Sequence, residues 1–191
     1  LIASYTTQNS RLSSDIILCM TEFKQKIWMG TDGGGINILD PTTGNITVLE
    51  HISGDNHSLP TNTILCLHSD SAGNIWAGSK REGVINIREV SMRTYTNVVL
   101  GHNKGLSQST VLQLYQEPAS EELWIATDGG GINKFIPSTE TFVHYPDTWG
   151  DKMVSITGFT PNELLVSAFS KGIFIFDKKT GKKRPFAIMS P

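Results

Sequence analysis

The sequence has no excess of charge of either sign. Its 191 residues include 16 Lys and Arg against 18 Asp and Glu, which gives a net charge of −2 at pH 7. This balance provides no electrostatic reason to bind nucleic acid or an anionic membrane surface, so no nucleic-acid binding is expected. The one basic cluster flanks a Thr-Gly turn and is interpreted as a solvated hairpin tip; it comprises Lys178, Lys179, Lys182, Lys183 and Arg184.

The sequence also has few cysteines and no long apolar run. Cys19 and Cys66 cannot form a metal site alone, and no histidine lies at ligand spacing around them, so neither a metal nor another cofactor is predicted. They occupy the same place in ILCM and ILCL, which indicates buried strand positions and leaves a disulfide between them open. No window approaches the ~20 apolar residues of a membrane span, and the first residues lack a signal-peptide pattern.

Catalytic patterns are missing as well. The five histidines are scattered, and the two TDGGG turns precede no helix that would make a phosphate-binding loop. Carboxylate pairs such as Glu121 with Glu122, or Asp32 with Asp128, obey no spacing rule for acid and base catalysis. We therefore predict no catalytic residues in this chain.

A repeat built around tryptophan is present. Three blocks, KIWMGTDGGGINILD, NIWAGSKREGVINI and ELWIATDGGGINKF, align on Trp28, Trp76 and Trp124, which are spaced 48 residues apart. A weaker fourth block, ELLVSAFSKGIFIFD, has Leu165 at the tryptophan position, 41 residues further on. A glycine follows seven residues after this position in every block: Gly35, Gly83, Gly131 and Gly172.

Each block contains four short apolar segments separated by turns. A period of 40 to 50 residues with four strands is typical of β-propeller blades. We predict an all-β fold of about four four-stranded antiparallel blades, an arc of a larger propeller of the seven-bladed type, in a single domain. The predicted ranges are 1–10 for the last strand of a preceding blade, 11–52, 60–98 and 106–146 for three blades, and 152–188 for a degenerate blade.

The repeated residues have a physical role in this interpretation. A single four-stranded sheet cannot bury both faces, so the tryptophans are expected to pack between blades, with sugar stacking in an open groove as the alternative. The glycines allow the chain to reverse, and Gly44 and Gly181 are expected to have positive φ in the following turn.

The motif W-x-G/A-T-D-G-G-G-I-N resembles the two-component regulator propeller repeats. The matching positions are Trp28, Thr31, Gly33 to Asn37 and Pro41 in the first block, Trp76, Gly83 and Asn86 in the second, and Trp124, Thr127 and Gly129 to Asn133 in the third. The resemblance implies a periplasmic sensor segment of a Bacteroides-type hybrid histidine kinase that senses glycan-derived ligands and signals to a phosphorelay and transcription control. The membrane would be reached only through the parent chain.

Ligand contacts are expected in two sets of loops that share one face of a propeller. The candidates are Asp32, Lys80, Arg81, Asp128, Phe169 and Lys171 before each third strand, and His51, His57, His102, Asn103 and Trp149 between blades. For Asp32 and Asp128 the alternative role is to accept N–H bonds within the glycine turn.

The expected ligand is an oligosaccharide or another small molecule. Blade faces left uncovered are expected to meet the remaining blades of the parent propeller or to form homo-oligomers. Two other functions remain open: a free-standing propeller that binds a protein partner, and a propeller hydrolase or lyase acting on glycans.

Overall fold

The structure is a computed structural model that describes residues 4–55, 57–88, 91–97, 104–118 and 120–187. Within these ranges it contains four separate antiparallel sheets of four strands each, together with one short 3-10 helix at Pro146–Thr148. The predicted all-β propeller fold is confirmed. No helix in the described ranges has the length and apolar character needed to cross a membrane.

The strands of each blade follow chain order from one edge of the sheet to the other. Blade 1 consists of β1 (Ile17–Phe23), β2 (Lys26–Thr31), β3 (Ile36–Leu39) and β4 (Ile46–Leu49). Blade 2 consists of β5 (Ile64–Ser69), β6 (Ile75–Ser79), β7 (Val84–Arg88) and β8 (Ser91–Tyr95). Blade 3 consists of β9 (Val111–Gln116), β10 (Leu123–Thr127), β11 (Gly131–Ile136) and β12 (Thr141–His144). Blade 4 consists of β13 (Met153–Thr160), β14 (Glu163–Ala168), β15 (Gly172–Asp177) and β16 (Lys183–Pro185).

The first strands of successive blades, β1, β5, β9 and β13, lie side by side and form the inner edge of the arc. Blades stack face to face through apolar cores that each combine residues of two neighbouring blades. Trp76 packs with Val111, Leu123 and Phe135 of blade 3, and Trp124 packs with residues of blade 4. Trp76 and Trp124 thus fill the space towards the next blade, which the sheets cannot fill by backbone pairing alone.

The glycine that follows each tryptophan position is required by the backbone. Gly35, Gly83, Gly131 and Gly172 have φ values of +70°, +79°, +71° and +89°, a region that costs other L-residues about 1–2 kcal/mol. A Cβ at Gly83 would also overlap the carbonyl oxygen of Tyr95 on the neighbouring strand. Gly44 and Gly181 have the positive φ expected for them.

Two expectations from the sequence differ from the structure. Residues 4–6 have no regular secondary structure and residues 7–11 form turns and a bend, so the strand expected within 1–10 is not found in the described part, 4–10. Without a sheet to pair with, this segment makes local bonds instead: the Thr6 N–H donates to Asn9 Oδ1 (2.7 Å), and Ser10 Oγ donates to the Thr6 carbonyl (2.6 Å).

The second difference concerns which residue of blade 2 corresponds to the repeat asparagine. Asn37 pairs with Met29 and Asn133 with Ile125, whereas the same place beside Ala77 is taken by Ile85. Asn86 pairs with Trp76 and is the counterpart of Ile38 and Lys134. Its match to the family asparagine was therefore wrong by one residue, which moves its side chain to the opposite face of the sheet.

The two cysteines are free thiols at equivalent places in blades 1 and 2. Cys66 is buried and Cys19 half-buried, and each lies against a glycine of its neighbouring strand, Gly78 and Gly30. Burial raises the pKa of Cys19 to about 11 and also raises that of Cys66, so both stay protonated at neutral pH. They act as small apolar residues in this structure.

Candidate ligand site at the inner rim

The candidate site begins with a backbone arrangement that recurs in all four blades. The residue directly after the second strand donates its N–H to the carbonyl of the residue directly before the first strand. The four pairs are Asp32 to Ile16 (3.0 Å), Lys80 to Thr63 (3.2 Å), Asp128 to Thr110 (3.0 Å) and Phe169 to Lys152 (2.9 Å). The residues after the second strands and those before the first strands therefore lie together at one end of β1, β5, β9 and β13. We call this end of the inner edge the inner rim. The backbone fixes these positions but leaves their side chains free to vary.

The glycine turn beside the rim is held by a hydroxyl and not by the aspartate. Thr31 Oγ1 donates to the Gly35 carbonyl (2.9 Å) and accepts the Gly34 N–H (3.1 Å). Thr127 repeats the donor contact to Gly131 (2.8 Å), and Ser79 makes the equivalent bond to Gly83 (2.9 Å). In the described structure, the aspartate carboxylates make their bonds elsewhere. The interpretation of Asp32 and Asp128 as acceptors for the turn is therefore wrong, because the preceding residue already fills that role.

Asp32 and Asp128 instead contact the next blade. Asp32 Oδ1 accepts a hydrogen bond from Thr63 Oγ1 of blade 2 (3.1 Å), and Asp128 Oδ2 pairs with Lys152 Nζ of blade 4 (3.0 Å). Both partners of the ion pair are well exposed, at 43% for the lysine side chain and 36% for the aspartate. An exposed pair of this kind contributes only about 0–1 kcal/mol, so a ligand can displace it at little cost.

These side chains surround a groove of about 250 Å³ on the inner edge of the arc. Its polar wall carries charges of alternating sign, while its floor is apolar. The lining residues are Leu18, Asp32, Thr63, Leu65, Lys80, Thr110, Leu112, Asp128 and Lys152. The three leucines occupy the same position in the first strands of blades 1, 2 and 3, so the repeat itself builds the floor.

The groove can bind a polyhydroxylated ligand. Carboxylates accept hydrogen bonds from hydroxyl groups, ammonium groups and threonine hydroxyls donate them, and leucine methyl groups contact the apolar C–H face of a ring. The alternating charges cancel locally, which favours a neutral polar ligand over a strongly charged one. No group of three or more His, Cys, Asp or Glu side chains in the described ranges is arranged to hold a metal ion.

The other sequence candidates are distributed around this groove. Arg81 is exposed with φ of +86° in the turn after Lys80, and Phe169 is 64% exposed with Lys152 Nζ 5.6 Å from its ring centroid. Trp149 is 55% exposed on a loop whose next residue, Gly150, donates to the Gly129 carbonyl (2.9 Å). Phe169 belongs to the inner rim, but none of these three residues lines the groove.

The remaining candidates fall away from the groove or outside the described residues. Lys171 forms an ion pair with the buried Asp151. His51 Nδ1 bonds to the Leu59 carbonyl (2.8 Å) within its own loop, and His57 is exposed. His102 and Asn103 lie outside the described ranges.

Sequence reasoning missed the second half of the rim. Thr63, Thr110 and Lys152 precede the first strands, and Leu18, Leu65 and Leu112 lie within them. Aligning the blocks on the first strand as well as on the tryptophan would have found them, since they share one offset. Their role depends on how neighbouring blades meet, which the pattern within one repeat does not contain.

The four stacked sheets define this chain as a run of β-propeller blades. Residues 58–81 match the sequence model of the family described as two component regulator propeller. The resemblance drawn from the repeat motif is confirmed, and the chain carries a repeat of that family. No curated protein matches the sequence.

Several solved structures share the fold. The extracellular domain of the hybrid two component system BT3049 from B. thetaiotaomicron superposes with a TM-score of 0.82 at 19% identity, over 97% of this chain and 26% of that one. Streptogramin B lyase gives a TM-score of 0.66 at 19% identity, over 93% of this chain and 58% of the lyase. The computationally designed protein Ika8 gives 0.60 at 17% identity, over 87% of this chain and 47% of that one. At these identities the likeness shows the fold alone, and this chain spans about a quarter of the BT3049 domain.

Proposed function

We propose that this chain is a ligand-sensing propeller segment of a two-component system sensor, located outside the cytoplasm, and that its inner rim binds glycan-derived oligosaccharides. The proposal covers a sensor of the hybrid histidine kinase type that signals to a phosphorelay, and it assigns no catalysis to this segment. Its support comes from the family match in blade 2 and from the fold of the BT3049 extracellular domain. The observation that carries it is the composition of the rim groove.

The rim groove combines backbone positions that recur in every blade with side chains that change from blade to blade, as expected for a site that recognises a particular ligand. The backbone positions recur in each blade, but the side chains after the second strands change from Asp32 to Lys80, Asp128 and Phe169. In blades 1 to 3 the turn is held by the hydroxyl groups of Thr31, Ser79 and Thr127, so packing does not dictate which side chain follows them. Polar groups placed over an apolar floor are the usual composition of a small-molecule site.

Isothermal titration calorimetry against a library of neutral and acidic oligosaccharides tests the binding part. We expect at least one oligosaccharide to bind and Asp128→Ala and Lys80→Ala each to weaken its affinity about tenfold, as expected for the loss of a hydrogen bond to a charged group. Glu121→Ala and Lys179→Ala are the controls, since both side chains are exposed and outside the groove. Absence of binding across the library, or equal losses in the controls, would contradict the proposal.

The gene that encodes the chain tests the sensor part separately. A hybrid two-component sensor requires a membrane span, a histidine kinase and a receiver in the same reading frame. Finding these segments supports the proposal, and a reading frame that lacks them would show that the propeller acts on its own.

A further inference from the structure

Two exposed aromatic side chains lie at the blade 4 end of the inner rim. Phe169 is the rim residue that follows β14, and Trp149 is on the loop between blades 3 and 4. More than half of each side chain is exposed. We call these two residues, together with the neighbouring Asp128 and Lys152, the aromatic end of the rim.

The exposure of Phe169 belongs to its place in the repeat. Its counterparts Asp32 and Lys80 are exposed as well, although a following blade contributes Thr63 and Thr110 to the groove beside them. A side chain at this place therefore stays accessible whether or not another blade follows. A phenylalanine that is mostly in contact with water adds little apolar burial, so packing does not account for it.

Trp149 is presented by a loop whose neighbouring residues are fixed. Thr148 is fully buried, and its Oγ1 accepts the Ile132 N–H (2.8 Å). Two residues after the tryptophan, the buried Asp151 forms ion pairs with two lysines of blade 4. An indole held between two buried residues has little backbone freedom to lose on contact with a ligand, which favours binding.

The same loop lies closer to the rim than its counterparts do. Before blades 2 and 3, the loop accepts the N–H of the repeat glycine, Gly35 or Gly83 (2.8 Å each). Before blade 4, the Asp151 carbonyl instead accepts the N–H of Gly129 (3.2 Å), which directly follows the rim residue of blade 3. The loop that carries Trp149 therefore lies against the rim end of the glycine turn.

Lys152 joins the aromatic end to the rim groove. Its carbonyl accepts the Phe169 N–H (2.9 Å), and its Nζ lies 5.6 Å from the centroid of the Phe169 ring and 3.0 Å from Asp128 Oδ2. Both charged residues line the groove. A ligand that bonds to them in the groove therefore has the Phe169 ring within reach of its next unit.

We propose that the aromatic end stacks a pyranose ring of the oligosaccharide bound in the rim groove. This inference rests on the proposed function and adds the kind of sugar that the site takes. A pyranose whose hydroxyls are all equatorial has axial C–H groups on both faces, which contact aromatic rings. Its equatorial hydroxyls then reach the carboxylate of Asp128 and the ammonium group of Lys152. Every ring of a β-linked glucose oligosaccharide has this geometry.

The test is a titration of the 191-residue chain with cellotetraose, a β-linked glucose tetrasaccharide, followed by two-dimensional NMR. The four tryptophans give four indole N–H signals, which single substitutions assign. The Trp149 signal and the methyl signals of Leu112 on the groove floor are expected to shift saturably with the same dissociation constant. The signals of the buried Trp76 and Trp124 are expected to stay in place.

Substitutions of the two aromatic residues locate the stacking. Phe169→Ala and Trp149→Ala, both followed through the Leu112 signals, are each expected to weaken cellotetraose binding about tenfold, because each removes one stacking surface. Phe169→Tyr keeps the ring and is expected to bind as the unmodified chain does. Both side chains are exposed, so the fold is expected to tolerate these changes. Tyr5→Ala is the control, since Tyr5 is an exposed aromatic residue beside Gly44 in the turn between β3 and β4.

The inference is overturned if cellotetraose shifts the leucine methyl signals and leaves the Trp149 signal unchanged, a result that leaves the proposed function standing. It is also overturned if cellotetraose shifts none of these signals at millimolar concentration, or if both alanine variants bind it as tightly as the unmodified chain. The proposed function fails by a different result, which is the absence of binding across the whole oligosaccharide library.

Discussion

Asp151 is a buried carboxylate held between two lysines of blade 4. Its side chain is 2% exposed and forms ion pairs with Lys171 and Lys183. Burial alone raises the pKa of this carboxyl, but the hydrogen bonds and charges of the two lysines outweigh that effect and hold the pKa below its ordinary value. The aspartate is therefore ionised in the folded chain at neutral pH, and it ties the loop before blade 4 to the turn after β14 and to strand β16.

Replacing Asp151 by Asn should destabilise the chain in a pH-dependent way. Because the folded pKa is depressed, the carboxylate contributes stability above the unfolded pKa of about 3.8, and this contribution is lost as the pH falls below that value. We expect Asp151→Asn to reduce the free energy of unfolding by about 3 kcal/mol at pH 7, with a smaller difference at pH 3.

Urea unfolding of the unmodified chain and of Asp151→Asn, at pH 7 and at pH 3, measures the two differences in the free energy of unfolding. Asp147→Asn, an exposed acid of the same loop, is the control and should change stability by less than about 0.5 kcal/mol. A loss for Asp151→Asn that is equally large at both pH values would contradict the ionic role.

At the level of elements, a serine and an asparagine join the loop before a blade to its third strand. Ser13 donates its N–H to Asn37 Oδ1 (3.0 Å) and accepts a bond from Asn37 Nδ2 (2.6 Å). Ser107 and Asn133 repeat both contacts in blade 3, at 2.9 and 2.8 Å. The pair fixes the loop that leads into the inner rim.

Blade 2 replaces both partners of this pair. Pro60 takes the place of the serine after the buried Leu59, and Ile85 takes the place of the asparagine. Proline has neither the N–H nor the hydroxyl that the asparagine needs. Replacing both partners with apolar groups avoids leaving a buried amide without hydrogen bonds.

A double-mutant cycle tests this coupling. Ile85→Asn alone should reduce the free energy of unfolding by about 2–3 kcal/mol, because it buries an unsatisfied amide. Adding Pro60→Ser should recover at least about 1 kcal/mol of that loss by restoring the two hydrogen bonds. Chemical unfolding of the single and double variants gives the coupling energy, and strictly additive effects would contradict the account.

Sequence reasoning could predict the elements but not all of their contacts. The 48-residue tryptophan spacing and the shared glycine predicted the four-stranded blades because every blade meets the same steric demand at that turn. It misplaced Asn86, because the residue two positions after Gly83, where Asn37 follows Gly35, is Ile85; strand pairing confirms that Ile85 takes the asparagine position.

At the level of the whole molecule, the face of blade 4 that points away from blade 3 is exposed among the described residues. Ile36, Val84 and Ile132 occupy one position of the repeat and are fully buried, each in the core towards the following blade, but their counterpart Ile173 is 47% exposed. Phe159 in the same blade is 46% exposed. An apolar surface of this kind favours association with a further blade or with a second copy of the chain.

We predict that the 191-residue chain self-associates through this face. Sedimentation velocity should show a concentration-dependent dimer or larger species, and Ile173→Lys should shift it towards the monomer by placing a charge in the contact. Val143→Lys, at an exposed position of an outer strand, is the control and should leave the distribution unchanged. A monomer at all concentrations up to the millimolar range would contradict the prediction.

The sequence predicted only part of the residues that line the groove at the inner rim. Asp32, Lys80 and Asp128 were predicted as ligand contacts from their place before the third strand of each blade, and the structure brings all three to one groove. Their partners Thr63 and Lys152 belong to the following blades. Contacts between blades depend on how the sheets stack, so a pattern within one repeat does not reveal them.

The most direct test of the rim as a ligand site is a methyl NMR titration with the oligosaccharide that binds most tightly in calorimetry. The account predicts saturable shifts for the methyl groups of Leu18, Leu65 and Leu112, with no change for buried leucines such as Leu59 and Leu123. Asp128→Ala should weaken the affinity measured in this titration about tenfold. Saturable shifts confined to methyl groups away from the inner rim, or no shifts at saturating oligosaccharide, would contradict it.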